Sequence, residues 1–177
     1  MIRSAKIFTT LLVMWVGTLY APPPTTEILR EGARYEHILD WATLYDIQYE
    51  MAELILNRAK ARGIPPWVAF NLVWVESGFD STAVGALGEY GLTQLLPSTA
   101  QSLLPEATRE ELMSARTNLD TGFRYLRIQL DRFDNNVWLA LTAYNGGARR
   151  AWRHAPERSF RLLLYADKVL SYTPPKG

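Results

Sequence analysis

The apolar residues of the chain are most concentrated in one run near its middle. From residue 67 to 75 every side chain except that of Asn71 is apolar. A helix that is apolar on every side has to be buried on every side, so this run predicts the helix that forms the axis of the core. Pro65 and Pro66 suit its first turn, and Gly78 is typical of a helix terminus.

Elsewhere, apolar side chains recur at the spacing of three and four residues that is typical of amphipathic helices. Such stripes lie within residues 28–42, 52–59, 119–133, 137–144 and 162–170. The first two stripes belong either to one long helix or to two helices separated near Asp46, and the pattern leaves both interpretations open. A shorter helix is predicted to begin at Pro97 and to run through Leu104.

Polar residues at the ends of these stripes predict where helices begin and stop. Asn118 is predicted to be the N-cap of the third stripe, and Thr108 with Glu111 three residues later resembles a capping box. Asn145-Gly146 is a dipeptide found in β-hairpins, but the helical pattern on both sides of it favours a helix cap.

The segment from residue 78 to 94 departs from the helical pattern because glycine recurs in it. Gly78, Gly85, Gly88 and Gly91 alternate with small and apolar residues. This spacing predicts a hairpin or loop in which backbone segments approach each other closely. The sequence therefore predicts a mainly α fold with one small β-hairpin or glycine-rich loop.

The first residues of the chain have the pattern of an export signal. Arg3 and Lys6 precede an uncharged, largely apolar segment over residues 7–20. That segment is shorter than the roughly twenty residues of a membrane span. A cleaved signal peptide and a retained N-terminal membrane anchor both stay open as interpretations, because Pro22 directly follows the candidate cleavage position.

The composition of the chain mainly excludes certain kinds of site. A chain of 177 residues is long enough for one well-packed domain. The absence of cysteine excludes disulfides and cysteine metal sites, and His37 and His154 are too few for a histidine metal site. The net charge is only +1, but basic residues outnumber acidic ones between residues 124 and 168. That excess is typical either of solvated surface or of a face for an anionic polymer.

The strongest candidate for chemistry is Glu76, which directly follows the apolar run. Burial there disfavours the ionised carboxylate, raises its pKa and keeps it protonated near neutral pH, as a general acid requires. Gln94, at the end of the glycine-rich segment, offers a donor and an acceptor to a hydroxyl-rich substrate. Each residue alone also fits a capped core helix followed by a surface loop, whereas the combination favours a site.

Several short motifs, taken in order, resemble one known family. They are Glu76-Ser77-Gly78-Phe79, Gly88, Gly91-Leu92-Thr93-Gln94, Pro97-Ser98-Thr99-Ala100 and Ala143-Tyr144-Asn145. Together they resemble the soluble lytic transglycosylase (SLT) family, with its goose-type, lysozyme-like helical fold. On this basis we expect a signal peptide or membrane anchor with a proline linker (1–24), an N-terminal helical extension (25–49), a catalytic domain (50–172) and a tail (173–177).

The resemblance implies cleavage of the β-1,4 bond between N-acetylmuramic acid and N-acetylglucosamine in peptidoglycan. Glu76 matches the family's catalytic acid, which protonates the leaving oxygen and then acts as a base while a 1,6-anhydro ring closes on the muramyl product. The N-acetyl group of the substrate takes the place of the second carboxylate that most glycosidases use. No metal or cofactor is implied. Positions matching residues that line the cleft or orient the acid are Ser77, Gln94, Tyr144, Asn145 and Tyr165.

Two residues depart from the family pattern. Thr93 replaces a methionine, which is expected to change the packing beneath the cleft. Glu89 lies in the glycine-rich segment and has two interpretations. Directed into the cleft, it would help to position a hydrolytic water, as in a lysozyme-type muramidase; directed outward, it would be a solvated loop charge. Asp80 is a weaker candidate that fits a turn.

The resemblance also implies partners and a location. The substrate is expected to be peptidoglycan glycan strands, and no nucleic acid is expected. The protein is expected to be exported, either periplasmic or anchored to the inner membrane through residues 1–21, and to work within a larger envelope-spanning or virion machine. Alternatives of other classes are a non-catalytic glycan-binding protein and an interaction protein that recruits a partner through residues 28–42.

Overall fold

The computed structural model describes residues 26–154 and 160–174, except for the side chains of residues 28, 150, 153, 154 and 160–164. The predicted signal or anchor therefore lies outside the described residues. Within the described ranges, no helix combines the length and the apolar character needed to cross a membrane.

The prediction of a mainly α fold is confirmed. The helices are α1 (Thr26–Tyr45), α2 (Tyr49–Ala61), α3 (Pro66–Ser77), α4 (Pro97–Leu103), α5 (Arg109–Met113), α6 (Ala115–Arg132), α7 (Val137–Gly146), α8 (Ala148–His154) and α9 (Phe160–Ser171). Between α3 and α4 the chain forms a glycine-rich loop. Its β pairing is limited to two isolated antiparallel bridges, from Tyr90 to Val84 and to Leu95. The segment is therefore a loop and not a hairpin with a regular ladder.

The chain divides into two compact units, residues 1–37 and 38–177. In the second unit, α3 packs against α2 and α9, and α6 packs against α2 and α7. The largest side chains that these helices bury fully are Ile55, Phe70, Leu72, Leu119, Phe123, Leu126, Leu130 and Leu141. The core therefore surrounds α3, as the apolar run predicts.

One part of that prediction is wrong, because α3 is not buried on every side. Trp67 and Trp74 are 43% and 38% exposed, whereas residues 68–73 between them are buried. The ring of Trp74 stacks on that of Tyr172 at 5.0 Å between centroids, so one of its faces is covered while the rest reaches solvent. An indole is often mostly buried without being fully buried, and an apolar pattern alone does not reveal this.

The polar residue inside the apolar run, Asn71, connects three helices. Its Oδ1 accepts a hydrogen bond of 2.5 Å from the hydroxyl of Tyr45 at the end of α1. Its Nδ2 donates to the backbone carbonyl of Val169 at 2.7 Å, one of the last carbonyls of α9, which have no partner within the helix. Asn71 is therefore a satisfied polar contact in the core that fixes α3 against α1 and α9.

The boundaries between helices settle two open interpretations. The first two stripes form separate helices, since Asp46 has a left-handed φ of 52° and ends α1. Asn145-Gly146 belongs to the last turn of α7, and the cap is Gly147 with a φ of 79°. The capping box of Thr108 with its partner three residues later is confirmed at the start of α5.

The prediction that Asn118 caps a helix is wrong. Helix α6 begins three residues earlier, at Ala115, and Ser114 occupies the N-cap position. Asn118 lies inside the first turns of α6, fully buried, and its side chain bonds to the glycine-rich loop and to the carbonyl of Leu112. The residue has a polar role, but it acts in tertiary contacts and does not cap the helix.

We expect Asn71→Leu to lower the free energy of unfolding by about 2–4 kcal/mol, because it leaves a buried hydroxyl and a buried carbonyl without partners. Tyr45→Phe is the matched control, since it removes one hydrogen bond and keeps the bond to Val169; its loss should be about half as large. Urea unfolding measures both values. An Asn71→Leu protein that unfolds at the wild-type urea concentration would contradict this role.

Candidate active site

A cavity of about 290 Å³ lies between the end of α3, the glycine-rich loop and the end of α7. The side chains in its wall include most of those that the sequence singles out. They are Glu76, Glu89, Gln94, Tyr144 and Asn145, together with Gly85 from the loop. Chain segments far apart in sequence therefore meet at one concave site, as expected for a ligand pocket.

Glu76 lies in the last turn of α3, half-buried in the wall of this cavity. The pKa of its carboxyl is raised from 4.5 to about 7, and burial is the largest cause. A hydrogen bond from Tyr165 and the charge of Lys168 act in the opposite direction and lower the pKa, whereas the negative charge of Glu89 adds to the effect of burial. The carboxyl group is therefore mostly protonated below neutral pH and about half protonated near pH 7, which suits a general acid.

Tyr165 fixes the orientation of this carboxyl group. Its hydroxyl, on α9, donates a hydrogen bond to Oε1 of Glu76. Burial raises the pKa of the Tyr165 hydroxyl well above its ordinary value, so it stays protonated and donates. The resemblance pairs this residue with the site, and the structure brings it into direct contact with Glu76.

Ser77 is expected either to line the cleft or to orient the acid, and it is not among the residues that line the cavity. Its hydroxyl is 2.9 Å from the carbonyl of Leu92 and 3.1 Å from that of Val73. It can donate to either carbonyl, and the contact with Leu92 joins the end of α3 to the last part of the glycine-rich loop. Ser77 therefore positions the backbone around Glu76.

The loop is held against α6 by Asn118, a residue that the sequence did not assign to the site. Its Nδ2 donates to the carbonyls of Tyr90 and Leu112 at 2.8 and 2.7 Å. Its Oδ1 accepts from the backbone N–H and the hydroxyl of Thr93, both at 2.8 Å. A Cβ on Gly91 would come within 2.5 Å of Asn118 Nδ2, so glycine is required for this close approach.

Thr93 takes part in this clamp and does not face the cavity. Its side chain is fully buried, bonded to Asn118 and packed on Gly122, where a Cβ would collide with it. Its backbone carbonyl accepts a hydrogen bond of 2.8 Å from the hydroxyl of Tyr144. Threonine in place of the methionine expected from the resemblance adds the side-chain hydrogen bond to Asn118, whereas the bond from Tyr144 uses a backbone carbonyl that any residue offers.

Gln94 and Tyr144 are both fixed by backbone groups. The Nε2 of Gln94 is 2.9 Å from the carbonyl of Gly91 and 3.3 Å from that of Ala83. Tyr144 is only 8% exposed, and burial raises the pKa of its hydroxyl. Asn145, the next residue, is exposed at the rim of the cavity.

Glu89 is one of the residues that line the cavity. Its carboxylate shares the cavity wall with Glu76 and accepts a hydrogen bond of 2.9 Å from the backbone N–H of Leu87. Asp80 is exposed and accepts hydrogen bonds from the backbone and hydroxyl of Thr82, as a turn residue does. Among the residues described by the structure, no three side chains of His, Asp or Glu are grouped to hold a metal.

The chain is similar to known proteins over the region that carries this cavity. Residues 53–161, more than half of the chain, match the family model described as Transglycosylase SLT domain. Membrane-bound lytic murein transglycosylase C of Actinobacillus pleuropneumoniae is 29% identical over 109 residues, which cover 54% of this chain and 30% of that protein. Soluble lytic murein transglycosylase of Escherichia coli K12 is 27% identical over 104 residues, covering 55% of this chain and 16% of that protein.

Solved structures share the fold. The lytic transglycosylase Slt of Pseudomonas aeruginosa, in an inactive mutant form, superposes with a TM-score of 0.63 at 27% identity, covering 68% of this chain and 22% of that one. The 70 kDa SLT70 of Escherichia coli gives 0.61 at 22% identity over 67% of this chain and 22% of that one. The predicted lysozyme-like fold is confirmed. The matched region spans less than a third of each curated relative's length.

The pKa of Glu76 predicts a specific pH dependence of stability. Between 4.5 and about 7 the folded protein keeps a proton that the unfolded chain has released. Its stabilising contribution is therefore complete below the unfolded pKa and lost as the pH rises through about 7. The loss is on the order of 2–3 kcal/mol. Urea unfolding across this range should show it in the wild type and not in Glu76→Gln; identical pH profiles would contradict the shift.

Proposed function

Because the chain belongs to the transglycosylase SLT domain family, we propose that it is a peptidoglycan lytic transglycosylase. In this proposal it cleaves the β-1,4 bond between N-acetylmuramic acid and N-acetylglucosamine and releases a 1,6-anhydromuramyl product. The observation that carries the proposal is the half-buried Glu76, whose pKa is raised to about 7 in a cavity between α3, the loop and α7.

The proposed reaction uses the Glu76 carboxyl group twice. As an acid it gives its proton to the glycosidic oxygen, and the bond from the anomeric carbon to that oxygen breaks. As a carboxylate it then takes the proton of the muramyl 6-hydroxyl, whose oxygen bonds to the anomeric carbon. The proton returns to Glu76, no water is consumed, and no second carboxylate is needed if the substrate's N-acetyl group stabilises the positive charge.

Neighbouring groups support both halves of this cycle. The Tyr165 hydroxyl donates to Glu76 and stabilises the carboxylate that forms after proton transfer. The charge of Glu89 raises the pKa of Glu76 and so favours the protonated form that begins the cycle. Gln94, Tyr144 and Asn145 line the same cavity and are proposed to bind the sugar.

A lysozyme-type muramidase is the second candidate, and the presence of Glu89 in the cavity wall is the observation that favours it. A carboxylate in the cavity wall beside Glu76 is able to orient a water molecule. Attack of that water on the anomeric carbon would give a reducing sugar in place of the anhydro ring. The two products differ by one water, so the mass of the product distinguishes the two functions.

The proposed function also implies a cellular location and partners. One relative is named as a membrane-bound transglycosylase, and residues 1–21 of this chain have the pattern of a signal or anchor. We therefore place the enzyme outside the cytoplasm, periplasmic or held at the inner membrane, facing the cell wall. Work within a larger envelope-spanning or virion machine is a further part of this proposal.

Glu76→Gln should lower the rate of peptidoglycan cleavage by roughly 10²- to 10⁴-fold, because the amide cannot donate the proton. Binding to peptidoglycan should persist, since the two side chains have nearly the same shape. Release of soluble muropeptides from purified cell wall measures the rate, and Glu106→Gln, at an exposed position, serves as control. Retained cleavage by Glu76→Gln would remove this residue as the acid.

Glu89→Gln should leave an anhydro-forming enzyme active, with a rate within about tenfold of wild type, because no water has to be activated. Mass spectrometry of the released muropeptides identifies the product at the same time. A collapse of the rate, with wild-type products that are heavier by one water, would favour the muramidase over the transglycosylase.

A further inference from the structure

A cavity of about 570 Å³ lies apart from the active site and shares no lining residue with the active-site cavity. Its wall includes Asp46, Trp74, Phe79 and Tyr172. A neighbouring cavity of about 510 Å³ shares Asp46 and Phe79 with it and continues to Glu50. Because the two cavities share part of their walls, they are adjacent halves of one groove, which we call the aromatic groove.

Four aromatic rings form a connected cluster in the first half of the aromatic groove. The ring centroid of Trp74 is 5.0 Å from that of Tyr172 and 5.9 Å from that of Phe79. Tyr45 completes the cluster at 5.7 Å from Phe79 and 6.0 Å from Tyr172. The indole of Trp74 is 38% exposed, and tryptophan is the side chain whose ring face attracts a cation most strongly.

Three helices end at this cluster. Tyr45 is the last residue of α1, Gly78 is the C-cap of α3, and Tyr172 directly follows the end of α9. The carboxyl end of a helix carries a partial negative charge of about half an elementary charge. Three such ends around one cavity therefore give it a negative potential before any charged side chain is considered.

Two carboxylates add to this negative potential. Asp46 lies in the walls of both halves of the aromatic groove, and Glu50 lies in the wall of the second half. Both residues are exposed, and neither takes part in the ion pairs of the described residues. Among the described residues, the walls contain no lysine, arginine or histidine. The groove is therefore complementary to a cation and repels an anion.

The apolar part of the wall favours a peptide as the source of that cation. Leu44 is 46% exposed in the first half of the groove, and Ile47 and Met51 line the second half. Exposed apolar surface bordered by polar residues is typical of an interaction site. Arginine and lysine side chains bring an aliphatic stem together with a charged end, so they match both properties of the groove.

We propose that the aromatic groove binds a basic peptide segment of a partner protein, with one cationic side chain at Trp74 and Asp46 and an apolar side chain in the second half. This site goes beyond the proposed reaction, because it lies apart from the active-site cavity and requires no turnover. The contact with the ring and the pairing with the carboxylate both need a positive charge on the ligand. A neutral ligand of the same shape should therefore bind much more weakly.

A peptide of defined sequence tests the groove in the full-length chain. The probe is the acetylated, amidated tripeptide of arginine, leucine and arginine, titrated into protein with isotope-labelled tryptophan and followed by NMR. The indole signal of Trp74 should shift saturably, whereas that of Trp67, exposed on the same helix but outside the groove, should not. A tripeptide with citrulline in place of both arginines keeps the shape without the charge and should bind at least about tenfold more weakly.

Asp46→Asn removes the charge and keeps the fold, because asparagine also tolerates the left-handed φ of 52° at this position. It should weaken the binding of the arginine peptide about two- to fivefold and leave that of the citrulline peptide unchanged. Asp134→Asn is the matched control. Asp134 is also exposed, has a φ of 51° and lies outside the groove, so this change should leave both affinities unaltered.

Several results would overturn the proposal. They are equal affinities for the arginine and citrulline peptides, an affinity that Asp46→Asn does not change, and a loss that Asp134→Asn reproduces. A saturable shift of the Trp74 indole with the tetramer of N-acetylglucosamine would assign the groove to a glycan and would also overturn it.

A cleavage assay separates this site from the proposed function. Asp46→Asn should release soluble muropeptides from purified cell wall at the wild-type rate, because the groove and the active-site cavity have no wall residue in common. A rate more than about threefold lower would make the groove part of the substrate site and contradict a separate partner. If the wild type releases no product and the peptide titrations give the expected results, the proposed reaction fails and the peptide site stands.

Discussion

The site depends on the removal of one carboxyl group from water. Glu76 is carried by the last turn of α3, and its pKa rises because that helix places it against the core. The position of α3 is itself fixed by Asn71, which bonds to α1 and α9. Since α9 also carries Tyr165, the same packing that buries Glu76 brings the hydroxyl that orients it. The raised pKa of Glu76 and the orientation of its carboxyl group thus have the same structural origin.

The opposite wall of the cleft has little regular structure to hold it. The glycine-rich loop has isolated bridges and no ladder within the described residues, so its backbone groups need other partners. Asn118 supplies several of them from α6, and the hydroxyl of Tyr144 supplies another at Thr93. The buried side chain of Asn118 therefore makes the hydrogen bonds that a neighbouring strand would otherwise make with the loop. The loop held in this way contributes Glu89 and Gln94 to the cavity wall.

The sequence predicts well the features that depend on local pattern. The continuous apolar run located α3, and the position of Glu76 after that run indicated a perturbed acid. Features set by tertiary contacts were missed or left open. The exposure of Trp74 depends on its stacking with Tyr172, and the role of Asn118 depends on the loop above it. The place of Glu89 in the cavity wall depends on how the glycine-rich loop folds. The spacing of residues along the sequence carries no information about these tertiary contacts.

A second carboxylate in the cavity does not by itself indicate hydrolysis. The charge of Glu89 favours the protonated form of Glu76, which is the form that would start cleavage in either of the two proposed reactions. A fixed negative charge near the anomeric carbon also stabilises the positive charge that develops there. The fate of the sugar is instead decided by which nucleophile reaches that carbon first. In the proposed transglycosylase the muramyl 6-hydroxyl belongs to the same sugar as that carbon, so proximity favours it over a water molecule that has to enter the cavity.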